Sequence, residues 1–202
     1  DGPPAFKGLL GDSLFMMPGS EHAVAKRIIL RAVSPSLVQR SVPFMASIFA
    51  DMVDACGRAP SVRLNQTLRE AIWRFMRTFV VKNLTGASEA DVDKVVTVFG
   101  PGLVSMPIDL GRFSAYGRAM AMKRELTALI KNEVELRRQH ATHRHDDLMQ
   151  NLVEYMDEES RQLLTPAQIA SIVFLVIFGS IESTASLVLS AVYLLNKPEN
   201  AE

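Results

Sequence analysis

Residues 164 to 197 read LTPAQIASIVFLVIFGSIESTASLVLSAVYLLNK and form the longest apolar stretch of the chain. Thr165 and Gln168 match a T-x-x-Q capping box, and Pro166 suits the first position of a helix. No helix-breaking residue follows until Pro198. The pattern therefore predicts one helix roughly 46 Å long, since each residue adds about 1.5 Å. A helix of that length would cross a whole domain, so the other segments are expected to pack around it.

The centre of this stretch carries its polar interruption, Gly179-Ser180-Ile181-Glu182-Ser183-Thr184. A mid-helix glycine costs about 1 kcal/mol relative to alanine, and each polar group in apolar surroundings needs a partner. We therefore expect Glu182 and Ser183 to have a function. A structural alternative for Ser183 is a hydrogen bond to the carbonyl one turn earlier.

For Glu182 the structural alternative is a salt bridge to an arginine of a neighbouring helix. The candidates are Arg69, Arg74 and Arg77. Both readings of this carboxylate are compatible with the sequence, although acids placed in clefts of low dielectric constant are often catalytic.

The same stretch is long enough to cross a bilayer, which needs about 20 apolar residues. A membrane span would place Glu182 near the bilayer centre, where a charge is costly. The flanks carry only Arg161 before and Lys197 after, so one-sided basic flanking is missing. We favour a buried helix of a soluble domain, with a single-span membrane protein as an alternative.

Composition excludes some classes of partner. Lys plus Arg number 22 and Asp plus Glu number 22, so no net field attracts nucleic acid. Hydrophobic residues make up 48% of the 202 residues, which is enough for a real core. The single cysteine, Cys56, excludes an internal disulfide, and its apolar helical context predicts a small buried residue. We expect residues 1–202 to form a single partial domain.

The remaining chain shows helical periodicity and no alternating strand pattern, so the predicted fold class is all-α. Residues 1–18 are rich in glycine and proline and predict a loop. A second loop is bracketed by Gly100-Pro101-Gly102 and Met106-Pro107-Ile108. Before the long helix, helices are predicted over 19–33, from the Ser34-Pro35 break to Gly57, and over 65–83, 88–98, 113–140 and 146–157.

The central polar segment resembles the [AG]-G-x-[DE]-T-[TS] motif of the distal helix in cytochrome P450s, the haem-thiolate monooxygenases. The resemblance implies that Gly179 opens a groove on the distal side of the haem. It also implies that Glu182 and Ser183 deliver protons there. Ser180 replaces the family's second glycine, and Ser183 replaces the usual threonine, which keeps the hydroxyl but loses a methyl that fixes the rotamer.

Upstream, Gly19-x-x-His22 followed by Lys26 resembles the family's G-x-x-H-x-x-x-R, whose basic residues bind the haem propionates. Residues four apart lie on one face of a helix, so His22 and Lys26 could reach the same edge of a cofactor. Lys26 stands where the family has arginine, and Arg27 could share or take over its role.

The resemblance covers essentially the whole chain. GLVSMPIDL and the basic helix ending in ELRRQ are similar to the branch that oxidises sterols, terpenoids and retinoids. DDLMQNLVEYMDEESRQLLTPAQIA resembles the segment leading into the distal helix, and YLLNKPE resembles its exit. The resemblance implies haem b, O2, a hydrophobic substrate and a redox partner reductase. Residues implied to lie near the substrate are Phe178, Ile181, Ala185, Met106 and Ile108.

Two elements of the family pattern are missing from this sequence, the E-x-x-R helix and the F-x-x-G-x-R-x-C-x-G loop that supplies the thiolate. We therefore expect an internal fragment of a monooxygenase, inactive by itself. A eukaryotic parent would be associated with the endoplasmic reticulum through an anchor preceding Asp1, and a prokaryotic parent would be cytoplasmic. A haem-free helical ligand-binding or regulatory module is a further alternative.

A cluster of histidines and acids follows the predicted helix over 113–140. Its spacing, H-x-x-H-x-H, matches no standard zinc site, and a charged loop at a helix end is usually solvated. We expect no metal here. The cluster comprises His140, His143, His145, Asp146 and Asp147.

Overall fold

The computed structural model describes residues 4–11, 18–86, 97–140, 145–157 and 161–197. These residues form helices, with one 3-10 turn at Gly111–Phe113. Within the described ranges the extended pairing is a single isolated bridge between Met156 and Leu163. The helices are α1 Pro4–Leu10, α2 Gly19–Ala32, α3 Pro35–Arg58, α4 Leu64–Val80, α5 at residues 97–103, α6 Ala115–Gln139, α7 Leu148–Glu154 and α8 Pro166–Leu195.

The long helix α8 is confirmed with the predicted start. Thr165 accepts a hydrogen bond from the backbone N–H of Gln168, whose side chain accepts one from the Thr165 N–H in return. Pro166 occupies the first turn. The capping box thus fixes where the helix begins, because it satisfies amide groups that the helix cannot pair internally.

The first half of α8 is the centre of the core. Its side chains Ile169 and Val173 are fully buried, and α4 and α6 pack against it. The outer layers follow: α3 packs on α4, α1 on α6, and α2 on α7. The neighbours of α8 therefore come from segments far apart in sequence.

The second half of α8 is largely exposed. Leu187 is 71% exposed and Leu195 is 73% exposed. In the part of the chain that the structure describes, α8 is the one helix long and apolar enough to cross a membrane, and less than half of its most apolar segment is buried. Its buried first half functions as a core helix of a helical domain.

Parts of two predicted loops are helical, whereas residues 104–110 remain a loop. Residues 4–10 form α1, which buries Ala5 and Leu9, four residues apart on one face. Residues 97–103 form α5, although this segment includes Gly100-Pro101-Gly102. The glycine at position 102 serves close packing, because a Cβ there would lie 2.3 Å from the Cβ of Ala119 in α6. The glycine at position 102 therefore reflects close helix contact and not a turn.

A buried ionic network joins α6 to the start of α7. The Arg137 guanidinium donates to both carboxylate oxygens of Asp147, at 2.6 and 2.9 Å, and its Nε donates to Glu133 at 2.8 Å. The backbone N–H groups of Lys82 and Thr85 donate to the two acids, at 3.0 Å each. The network therefore also holds the segment after α4, and every charge in it has a partner of opposite sign.

This network corrects one prediction. Asp147 was predicted to be solvated, yet it is buried and caps α7 by accepting from the Gln150 N–H at 2.8 Å. The buried guanidinium of Arg137 pairs with two acids, Glu133 and Asp147. Buried charges require such partners, because burial without them is very costly.

Candidate active-site cleft

A cleft of about 580 Å³ lies between α2 and the first turns of α8. The side chains Val24 and Ile28 of α2 face Ile172 and Leu175 of α8 across it, so its walls are mainly apolar. Glu21 is among its polar lining residues. The dimensions and lining suit a small organic ligand or cofactor better than a metal ion.

The polar centre of α8 continues one wall of this cleft. Because a helix returns to the same side after seven residues, Gly179 lies on the side of Ile172, about 10 Å further along the axis. Ser183 follows one turn later on the same side. The predicted groove and the predicted hydroxyl therefore share a face with the cleft that α2 bounds.

The hydroxyl of Ser183 donates to the carbonyl of Gly179 at 2.6 Å. Ser180 donates in the same way to the carbonyl of Val176, also at 2.6 Å. The structural alternative stated for Ser183 is thus present in this structure. The side chain is exposed, so its proton can be offered to another acceptor at modest cost.

The carboxylate of Glu182 pairs with the guanidinium of Arg69 on α4. Arg69 Nη2 lies 2.6 Å from Oε2, and Nη1 contacts Oε1. The Nε of Arg69 donates to Asn65 at 2.9 Å, which orients the guanidinium. The Glu182 side chain is 51% exposed, so this ion pair contributes about 0–1 kcal/mol and can open readily.

His22 and Lys26 are exposed on α2, one turn apart. Neither lines the cleft: the α2 residues that do are Ser20, Glu21, Val24, Ala25 and Ile28. Successive residues of a helix point about 100° apart, so His22 and Lys26 are turned away from that face. Arg27 is exposed too, but helix geometry turns it about 140° from His22, whereas Lys26 is turned by about 40°. The geometry favours Lys26 as the partner of His22.

The residues predicted to lie near the substrate are found in separate parts of the structure. Phe178 packs against Phe99 of α5, with ring centroids 3.9 Å apart. Ile181 and Ala185 are buried in the core, on the side of α8 away from Ser183. Met106 is 75% exposed in the loop between α5 and α6. The structure therefore does not bring these four into one surface.

Sequence reasoning missed Phe99, which contacts both Phe174 and Phe178. Its ring is fully buried and anchors α5 to α8. The signal in the sequence was an aromatic residue directly before Gly100-Pro101. It was overlooked because the predicted helix ended at residue 98.

The residues around the cleft fit part of a haem site. Its walls are mainly apolar, and a glycine on the adjoining face of α8 leaves room for close approach. The basic residues His22 and Lys26 could pair with propionates only from outside the cleft lining. Among the described lining residues there is no cysteine, and Cys56 lies half-buried on α3, which packs on α4. The thiolate is therefore not among the groups that line this cleft.

The histidine–acid cluster has other roles in the described residues. Asp146 pairs with Arg40 at 2.7 Å, and Asp147 pairs with Arg137. His143 lies outside the described residues. Among those that are described, no group of three or more His, Cys, Asp or Glu side chains is arranged to hold a metal ion.

Comparison with known proteins gives one consistent family. No family model matches the chain. It is 27% identical over 193 residues to abscisic acid 8'-hydroxylase 1 of Oryza sativa subsp. japonica and 26% identical to the enzyme of the same name from Arabidopsis thaliana. Both matches cover 91% of this chain but 37% and 38% of those proteins. These hydroxylases are cytochrome P450s.

The fold agrees. The retinoic acid-bound cyanobacterial CYP120A1 superposes with a TM-score of 0.80 and 22% identity, over 96% of this chain and 44% of that one. Sequence and fold comparisons point to the same proteins that the distal-helix motif resembles. The chain is thus similar in sequence to plant cytochrome P450 hydroxylases and has the fold of the helical part of a cytochrome P450 domain.

Proposed function

We propose that the protein containing this chain is a haem-dependent monooxygenase that inserts one oxygen atom from O2 into a hydrophobic, sterol- or terpenoid-like substrate. The observation that carries the proposal is the continuous face formed by the α2–α8 cleft, Gly179 and Ser183. The similar plant proteins are named as hydroxylases of abscisic acid, which supports a terpenoid substrate. Residues 1–202 would form part of one haem-binding domain.

In this proposal His22 and Lys26, which lie outside the cleft lining, bind the propionates of haem b from the exposed side of α2. Gly179 lets the macrocycle approach α8 closely, since it has no side chain. The haem, when bound, supplies the activation of O2, and its thiolate comes from a residue other than those lining the cleft. The apolar walls exclude water from the cofactor's distal side.

Hydroxylation consumes two electrons and two protons for each O2 that it splits into one inserted atom and one water. A reductase would supply the electrons. The hydroxyl of Ser183, on the face of α8 that continues the cleft wall, would be the last group to donate a proton. Glu182, half exposed and only weakly held by Arg69, would exchange protons with solvent and return them towards Ser183.

Localisation follows from the same proposal. A eukaryotic enzyme of this kind would be attached to the endoplasmic reticulum membrane, and a prokaryotic one would be cytoplasmic. The helix α8 would not serve as the anchor, because its first half is the core of the domain.

The test is Ser183→Ala in the protein expressed from its complete gene. Haem content and the carbon monoxide difference spectrum should stay unchanged, while hydroxylated product per electron falls and peroxide rises. Ser186→Ala is the matched control, because Ser186 is an exposed serine one turn further along α8. Unchanged product per electron in Ser183→Ala would remove the proton-delivery role. A purified protein without haem would refute the monooxygenase and favour a ligand-binding module.

A further inference from the structure

A second, smaller cavity of about 200 Å³ lies between α1, α6 and the first turns of α8. Its walls include the buried side chains Leu9 and Leu10 of α1 and Phe174 of α8. Ala167 and Ser171 line both this cavity and the α2–α8 cleft, so the two spaces flank the same turns of α8. The smaller cavity is thus next to the proposed active site and is apolar on two of its three sides.

The third side is polar. Lys123, Thr127 and Lys131 line the cavity from α6 at intervals of four residues, which places them on one helix face. Thr127 and Lys123 are half-buried. The ammonium of Lys123 lies 3.4 Å from the carbonyl oxygen of Gly8, which uses at most one of its three N–H bonds.

Within the residues that the structure describes, neither Lys123 nor Lys131 forms an ion pair with an acid. Ion pairs found there involve Arg40, Arg69 and Arg137. A half-buried ammonium beside leucine and phenylalanine side chains loses part of its hydration. An anion entering the cavity would recover that loss, and its apolar remainder would contact α1 and α8. A charged hydrogen bond of this type is about twice as strong as a neutral one.

We propose that this cavity binds the carboxylate end of the substrate, with Lys123 as its counter-ion and Thr127 as a hydrogen-bond donor. The inference rests on the proposed monooxygenase function and narrows the substrate class to apolar carboxylic acids. A carboxylate fits better than a phosphate, because one hydroxyl and one or two ammonium groups line the space and no arginine does. Lys131, more exposed, adds positive charge at the mouth.

The experiment measures equilibrium binding of small probes by calorimetry, in the protein expressed from its complete gene. The probes are geranic acid, its uncharged amide and geranyl phosphate. We expect the acid to bind roughly tenfold more tightly than the amide, as one charge-assisted contact implies. Lys123→Gln should abolish this preference while leaving the affinity for the amide within about twofold. Lys123→Arg should retain it.

Arg124→Gln is the matched control, because it removes the same charge from an exposed position next to Lys123. Equal affinities for acid and amide, loss of the preference in Arg124→Gln, or failure of all probes to bind at their solubility limit would each overturn the proposal. Tighter binding of geranyl phosphate would overturn the carboxylate assignment. Haem and carbon monoxide spectra of the same samples test the monooxygenase separately. A normal spectrum with no acid preference refutes this inference alone, and an acid preference without haem refutes the parent proposal alone.

Discussion

Two adjacent aspartates offer a controlled test of how the fold is held together. Asp146 and Asp147 each pair with an arginine, at 2.7 and 2.6 Å. The side chains of Arg40 and Asp146 are 53% and 55% exposed, whereas those of Arg137 and Asp147 are 1% and 0% exposed. The two pairs have similar distances and opposite burial, and Asp147 also accepts from the backbone N–H groups of Lys82 and Gln150, so the comparison measures a buried, hydrogen-bonded pair against an exposed one.

Asp147→Asn should lower the free energy of unfolding by about 3–5 kcal/mol, because it leaves the Arg137 cation buried with only one acid. Part of the α7 cap survives, since asparagine can still accept from the Gln150 N–H. Asp146→Asn should cost about 0–1 kcal/mol, because both partners of that pair are solvated.

The assay is urea unfolding followed by far-ultraviolet circular dichroism, in the protein expressed from its complete gene. Arg137→Met should cost less in the Asp147→Asn background than in the wild type, which measures the coupling of the pair directly. Equal shifts of the unfolding midpoint for Asp146→Asn and Asp147→Asn would refute the reasoning. Burial would then not determine how much an ion pair contributes to the free energy of unfolding.

Two further predictions concern the same helices. Burial raises the pKa of Glu133, but hydrogen bonds from Arg137 and from a backbone amide lower this pKa by a larger amount. The pKa of Glu133 in the folded protein therefore lies below its ordinary value. The contribution of the Glu133 carboxylate to the free energy of unfolding is complete above its unfolded pKa of about 4.3 and is lost as pH falls through the folded pKa. Acidification from pH 6 to 3 should therefore destabilise the wild type more than Glu133→Gln, which chemical unfolding at each pH would measure. Gly8→Ala should cost about 1–3 kcal/mol, because its Cβ would lie 1.8 Å from the Tyr116 hydroxyl oxygen. Tyr116→Phe should recover part of that loss, since the next ring atom is 3.0 Å away, and an unchanged melting temperature in Gly8→Ala would show that α1 does not pack there.

The local pattern predicted α8 and its start, because a capping box and thirty largely apolar residues with no internal proline lie within one segment. It also predicted the all-α class and the approximate bounds of α2, α3, α4 and α6. It failed for α1 and α5, where glycine and proline favour loops by local propensity. There the free energy of packing against α6 outweighs propensity, since helices in proteins owe most of their stability to tertiary contact.

The candidate site divides in the same way. The polar residues at the centre of α8 are visible in the sequence, and helix periodicity is enough to place Gly179 and Ser183 on one face. The packing of the helices was needed to show that Glu182 pairs with Arg69, that Phe99 packs on Phe178 and that Lys123 lines an apolar cavity. Arg69 and Glu182 are 113 positions apart in the chain, and Lys123 is 115 positions from Gly8, whose carbonyl it contacts at the cavity. No local rule relates such residues, because their meeting depends on how all the helices pack together around α8.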